Sequence, residues 1–206
     1  KYSHIFYNNT LASYKLKTIE MMLDKYGETL HLDTDIIFFN SISNEIKNKK
    51  FQAAYAPHYF FKKDSPVSNR FGYFNAGVIW IRDKEFWNEW NDLTKTGNHF
   101  FEQKPLEIMY DKGNFDILKL PKTYNFANGN RDRENIHLDG DGFIYYKEDP
   151  LINIHVHIFK QNIHLGDNSL EMKKKIKELL HKSKNENYKN IKRVIKKHDK
   201  KNFYEF

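Results

Sequence analysis

The chain contains no cysteine. Disulfides, thiolate metal sites and thiol nucleophiles are excluded, and a reducing, cytoplasmic setting is the default. No stretch approaches the roughly 20 consecutive apolar residues that a spanning helix needs. The opening Lys1-Tyr2-Ser3-His4 lacks the apolar centre of a signal peptide. A soluble protein is expected. An initiator Met is also missing and a polar turn, Asn8-Asn9-Thr10, follows almost at once, as in a fragment of a longer chain. No internal repeat is present.

At 206 residues with 39% hydrophobic content, the chain is long enough to bury one sizeable core. The net charge of +7 invites a nucleic-acid reading until it is located. Met172 to Lys201 holds thirteen Lys or Arg against three acids, a local +10, so everything else carries −3. The body is mildly acidic and the basicity belongs to the C-terminal segment.

Leu16, Ile19, Met22, Leu23 and Tyr26 recur at helical spacing and Gly27 supplies a stop, which predicts a helix from about Ala12 to Tyr26. Thr29-Leu30-His31-Leu32 reads as a short buried strand ending at Asp33, after which Ile36-Ile37-Phe38-Phe39 returns to the core. A strand from Phe51 to Tyr55 leads to an aromatic loop at His58-Tyr59-Phe60-Phe61 and a polar turn around Asp64-Ser65-Pro66. Phe74 to Ile81 is apolar on both faces and is the clearest strand. Helices are expected around Phe86 to Leu93 and Pro105 to Tyr110, with a strand at Phe115 to Leu120. Asp139-Gly140-Asp141-Gly142 reads as a hairpin turn between Ile136-His137-Leu138 and Phe143 to Tyr146, and Leu151 to Phe159 as a late strand. From Ser169 onward, helical spacing persists amid lysines, a basic amphipathic tail of one or two helices. Strands alternating with helices point to an α/β protein with a mainly parallel or mixed sheet.

Asp33 and Asp35 lie two apart where an apolar strand ends, and no Lys or Arg stands within six residues on either side. Two such carboxylates must be solvated, paired or bound to a cation. A polar turn capping a strand accounts for an isolated Asp-x-Asp equally well. In Tyr73-Phe74-Asn75-Ala76-Gly77-Val78, an Asn and a Gly interrupt a core-forming strand. Such a pair marks either a bulge with a satisfied Asn or the close approach of a ligand. His155 and His157 face one side of their strand because the side-chain period is two.

The ordered set Tyr14-Lys15-Leu16, Leu32-Asp33-Thr34-Asp35, Tyr73-Phe74-Asn75-Ala76-Gly77-Val78, Glu102-Gln103 and His155-Val156-His157-Ile158-Phe159-Lys160 resembles family 8 glycosyltransferases and their relatives. The resemblance covers roughly Tyr14 to Lys160. It implies a GT-A-like (Rossmann-like) mixed sheet flanked by helices over residues 1–168, with residues 169–206 as the basic helical tail. The first strand of that fold, which contacts the nucleoside base, has no counterpart here, and a missing N-terminus would account for this. The resemblance further implies that Asp33, Asp35 and His155 ligate Mn²⁺ or Mg²⁺. Lys15, Thr34, Asn75, Ala76, His157 and Lys160 would bind the nucleotide sugar, and Glu102 and Gln103 would sit at the reacting sugar. Two departures stand out: the family's His-x-x-Gly-x-x-Lys is one residue shorter here and lacks its Gly, and Glu102 replaces an Asp.

The expectation is a metal-dependent, retaining transferase that moves a sugar from a nucleoside diphosphate, UDP above all, to a hydroxyl of a glycan, glycolipid or protein acceptor. Peripheral membrane contact through the basic tail is expected, and nucleic acid is not. There are two rival readings: a metal-dependent nucleotidyltransferase or phosphohydrolase using the same two aspartates, for which a third carboxylate or Gly-rich phosphate loop is lacking, and a non-enzymatic module that binds anionic membranes or nucleic acid through its tail.

Overall fold

Leu16, Ile19 and Leu23 line the buried face of helix α1 (Leu11–Tyr26). Gly27, at φ 75°, ends it by donating its N–H to the Leu23 carbonyl at 2.8 Å. The computed structural model describes residues 11–42, 44, 46, 50–60, 62–97, 102–127, 132–156 and 167–201. The chain folds as two units, Lys1–Asp33 with Ile42–Lys122 and Thr34–Ser41 with Thr123–Phe206. The boundary passes through the Asp33-Thr34-Asp35 triplet, between β1 (Thr29–Leu32) and β2 (Ile36–Phe38).

The first unit is built on a mixed four-stranded sheet, in the order β1, β4 (Phe74–Ile81), β3 (Ala53–Pro57), β5 (Ile117–Lys119). β4 is antiparallel to both neighbours, and β3 pairs with β5 in parallel. All eight residues of β4 are buried, as their apolar run predicts. β1 is different: expected as buried, it lies at one end of the described sheet and is only half-buried, with Leu32 38% exposed. An end strand is covered from one side only, and four apolar-looking residues do not reveal which position a strand takes.

Between the pairs Tyr55–Ile79 and Pro57–Phe74, β3 contributes only Ala56 while β4 contributes Asn75 to Val78. The Asn and Gly therefore sit in a register irregularity, the bulge that this pair of residues announced. Helices α3 (Lys84–Thr96) and α4 (Gln103–Lys112) join α1 in the core. Asp83 caps α3 by accepting the Phe86 N–H at 2.7 Å. Three buried aromatic donors tie the layers together: Trp87 Nε1–H to the Leu16 carbonyl, Trp90 Nε1–H to the Glu102 carbonyl and Tyr55 O–H to the Leu106 carbonyl. Among the described residues, the one α-helix the pattern did not announce is α2 (Pro66–Phe71), where a polar turn was expected. Six residues are too few to show a helical period. Its signal was Ser65-Pro66, with Ser65 accepting the Ser68 N–H at 3.2 Å and Pro in the first turn.

Gly72 follows α2 at φ 96°. A Cβ there would stand 2.6 Å from the Gln103 carbonyl carbon and the Lys104 nitrogen. Only glycine lets the chain pass the start of α4 this closely.

In the second unit, β10 (Asn153–His155) lies between β2, antiparallel, and β6 (Phe126–Ala127), parallel. A second sheet is antiparallel: β7 (Ile136–Leu138), β8 (Ile144–Tyr146) and β9 (Asp149–Pro150). The β7–β8 hairpin closes through Asp139, whose Oδ1 accepts the N–H groups of Asp141 and Phe143. The basic segment forms α5 (Asp167–Lys182) and α6 (Lys189–Lys201), and the division expected at residue 168 falls in the first turn of α5. Met172, Ile176, Leu179, Leu180, Tyr188 and Ile195 are buried in one cluster with Phe126, Ile136, Ile144, Leu151 and Ile154. Tyr188 O–H lies 3.0 Å from the Ile144 nitrogen and accepts its N–H. Apart from the buried Lys173, the lysines of α5 flank an apolar face that is part of the unit's core.

Two substitutions test this description. Gly72→Ala forces either α4 or the loop to move, and should lower the unfolding free energy by about 1–3 kcal/mol, the range for overpacking, in urea denaturation. Ile176→Ala should cost about 2–5 kcal/mol if α5 is part of the core. A loss within error of zero would mean that the basic segment is an appendage.

Candidate functional site

In the first unit the site begins where β1 ends. The Asp33 N–H donates to the Gly77 carbonyl at 2.8 Å, continuing the pairing of Leu32 with Val78 one step into the irregular stretch of β4. Inside the same stretch, Asn75 Oδ1 accepts the Gly77 N–H at 2.6 Å. The buried Asn is thus satisfied by the bulge it creates. The displaced backbone also leaves the Ala76 carbonyl for a side chain to find.

That side chain is Lys15, from the second turn of α1. Its Nζ lies 3.2 Å from the Ala76 carbonyl oxygen, 3.0 Å from Asp33 Oδ1 and 2.9 Å from Glu102 Oε1. An ammonium carries three N–H donors, and three oxygens surround this one. Burial pulls the Lys15 pKa down, but the charges of Glu102 and Asp33 outweigh it and the net shift is upward. Glu102 is 5% exposed and starts α4 without capping it; its carboxylate goes to Lys15 instead. Sequence spacing gave no hint of this pairing, because Lys15 stands eighteen residues before Asp33 and eighty-seven before Glu102. Asp33 Oδ1 is also 3.3 Å from His31 Nε2, two residues earlier on β1.

Beside this cluster runs a hydrogen-bond chain through His58. Asn75 Nδ2 lies 3.4 Å from His58 Nδ1, and His58 Nε2 lies 2.7 Å from Gln103 Oε1. Because Asn75 Oδ1 already accepts from Gly77, its Nδ2 is the donor. His58 Nδ1 is then the acceptor, Nε2 carries the proton, and Gln103 Oε1 receives it. This ring therefore links Gln103, expected at the reacting sugar, to Asn75 in the bulge. The aromatic loop contributes His58 to this link. A single loop histidine gave no advance sign of such a link. Below it, the buried Glu107 accepts the Tyr73 N–H at 2.8 Å and pairs with Lys104 at 2.9 Å, fastening the strand entry to the first turn of α4.

In the second unit, β10 presents His155. Its Nε2 lies 3.0 Å from Asp35 Oδ1. The Val156 N–H donates to the Asp35 carbonyl at 3.2 Å and His155 pairs with Ile36, so Asp35 is fixed at the mouth of the β2–β10 ladder. On the other edge of the ring, Nδ1 lies 3.0 Å from Asn125 Oδ1. Asn125 is buried with φ 53°, and its N–H donates to Asn153 Oδ1 at 2.7 Å.

The structure thus brings Lys15, Asp33, Ala76 and Glu102 into one cluster, Asn75 and Gln103 into a second through His58, and Asp35 and His155 into a pair. Thr34 is exposed. His157 and Lys160 lie outside the described residues, as does Phe61 of the aromatic loop. His31, His58, Glu107, Asn125 and Asn153 were not singled out in the sequence: each is a common residue type whose partner is distant or carries no motif.

The Asp35–His155 geometry suits a divalent cation. Two ligand atoms each about 2.1 Å from a hard octahedral ion and at right angles to one another are about 3.0 Å apart. A histidine whose other nitrogen is held by an amide oxygen has the orienting partner that metal-ligating histidines require.

No family model matches the chain, and no curated protein does. Among solved structures, it is similar to the glycosyltransferase GlyE of Streptococcus pneumoniae TIGR4, with 20% identity and a TM-score of 0.38 over 53% of this chain and 28% of that one. It is also similar to mouse xyloside xylosyltransferase 1 in its apo form, with 15% identity and a TM-score of 0.40 over 74% of this chain and 63% of that one. The chain therefore spans less than two thirds of the length of either neighbour.

Proposed function

We propose that this chain is the donor-binding part of a metal-dependent glycosyltransferase that takes a sugar from a nucleoside diphosphate, UDP being the favoured nucleotide, to an acceptor hydroxyl with retention of anomeric configuration. The observation that carries the reading is the 3.0 Å approach of His155 Nε2 to Asp35 Oδ1 at the end of paired strands. It rests as well on the ordered resemblance of the motifs that surround it.

On this reading, Asp33, Asp35 and His155 are the oxygen and nitrogen donors for one Mn²⁺ or Mg²⁺. Two peptide units hold the Cα atoms of Asp33 and Asp35 within about 7 Å of each other whatever the triplet's conformation. When bound, such a cation neutralises the diphosphate and stabilises its departure as a Lewis acid. The protein's own residues do the positioning. Lys15 braces Asp33 and Glu102 against the Ala76 carbonyl, so that Asp33 keeps a fixed direction. His58 holds Gln103 by its Oε1 and leaves the amide NH₂ of Gln103 to donate to a sugar oxygen. Glu102, expected at the reacting sugar, is held in place by the same ammonium. Fixed groups of this kind contribute through orientation and preorganised charge rather than through a dedicated base.

Outside the site, α6 carries Lys189, Arg193, Lys196 and Lys197, with no acid between residues 189 and 197, away from the buried Ile195. This basic strip is where we place a peripheral contact with an anionic membrane.

A panel of sugar nucleotides incubated with the full chain should reveal slow, Mn²⁺-dependent hydrolysis of at least one donor. Asp35→Asn should reduce it by about tenfold or more, equivalent to about 1.4 kcal/mol of barrier, while circular dichroism stays unchanged. Equal turnover in both proteins, or none with any donor, sinks the proposal. Vesicles rich in anionic lipid should sediment the protein at low salt and release it at high salt; indifference to lipid charge removes the membrane contact.

A further inference from the structure

Asn125 has two properties that an ordinary residue of a strand entry does not need. Its backbone is left-handed, at φ 53°, a conformation that among non-glycine residues Asn tolerates best. It is also buried, and both its backbone and its side chain are engaged by residues of one strand. Asn153 and His155 are two apart on β10 and so project to the same face. Asn153 Oδ1 takes the Asn125 N–H at 2.7 Å, and Asn125 Oδ1 meets His155 Nδ1 at 3.0 Å. Asn153 is fully buried, and its Nδ2 has no partner among the described residues. A buried amide that leaves one of its own donors without a partner is kept for what its acceptor does. Here the acceptor anchors Asn125 in the conformation from which its own oxygen reaches the imidazole.

We propose that Asn125 is the positioning residue of His155: its amide oxygen holds a ring proton on Nδ1 and thereby presents Nε2 toward Asp35 as the metal-facing nitrogen. The proposal rests on the metal-site reading above and adds what that reading leaves open, the tautomer and the residue that sets it. The two ring nitrogens are not equivalent, and the hydrogen bond on one decides the availability of the other. With an oxygen on each side of the ring, the Nδ1–H satisfies Asn125, and a cation shared between Nε2 and Asp35 satisfies the other. Asn125 and Asn153 work in series, the second holding the backbone of the first.

Asn125→Gly is the informative variant, because glycine adopts the left-handed backbone without strain and only the amide is lost. Asn125→Asp restores an oxygen at the same place. The protonation of His155 can be read from long-range ¹H–¹⁵N correlations of the full chain in Mg²⁺ at a concentration that loads the wild type, assigned by the loss of its signals in His155→Gln. Mn²⁺ affinity is measured in parallel by electron paramagnetic resonance. We expect Nδ1 to carry a proton in the wild type and to lose it in Asn125→Gly. Mn²⁺ affinity should fall about 10- to 100-fold in that variant, the usual effect of removing a residue that orients a metal ligand, and Asn125→Asp should recover it. A wild-type Nδ1 without a proton overturns the proposal, and so does an Asn125→Gly protein with unchanged ring protonation and unchanged affinity. A wild type that shows the Nδ1 proton but binds no Mn²⁺ leaves the positioning of the ring intact and refutes the metal reading.

Discussion

The first unit depends on one backbone irregularity. Between Phe74 and Ile79, β4 leaves its regular pairing with β3, and Asn75 closes the gap by taking the Gly77 N–H onto its own side chain. Three consequences follow from that single adjustment. The Gly77 carbonyl becomes the partner of the Asp33 N–H and fixes where β1 ends. The Ala76 carbonyl turns to Lys15, and Asn75 Nδ2 turns to His58. A regular ladder with β3 would use the Ala76 carbonyl within the sheet and leave none for the Lys15 ammonium.

In the second unit the comparable constraint is the ladder of β10 with β2 on one side and β6 on the other. It brings Asp35 and Asn125, ninety residues apart in the chain, to opposite edges of one imidazole. Neither unit uses an exposed loop to hold its charged groups. Asp33 and Asp35 stand where strands end, Lys15 on α1 and Glu102 at the start of α4, so the geometry inherits the rigidity of regular elements.

Most of the elements could be read from the chain because their signals are local. α1 shows a helical period and a glycine stop, β4 a continuous apolar run, and the β7–β8 hairpin a turn of alternating Asp and Gly. The half-burial of β1 could not be read, since it depends on which strand lies beside it. α2 was too short to show periodicity. In the site, Asp33 and Asp35 stood out as paired carboxylates at a strand end and Asn75 as a polar break in a core strand, while His155 drew its meaning from the ordered set of motifs. So did Lys15, whose pairing with Asp33 and Glu102 is a product of the fold. His58 and Asn125 stayed hidden, being common residues whose meaning lies in a partner forty-five and thirty positions away.

The close passage at Gly72 has a mechanical side. Its backbone leaves no clearance against Gln103 and Lys104, and the next residue, Tyr73, is bound through its N–H to Glu107 of the same helix. The strand entry and the first two turns of α4 are thus seated on one another like two parts of a clamp. A molecule pressing against Gln103 would push on β4 itself, and the resistance it met would be that of the whole sheet rather than of one flexible side chain.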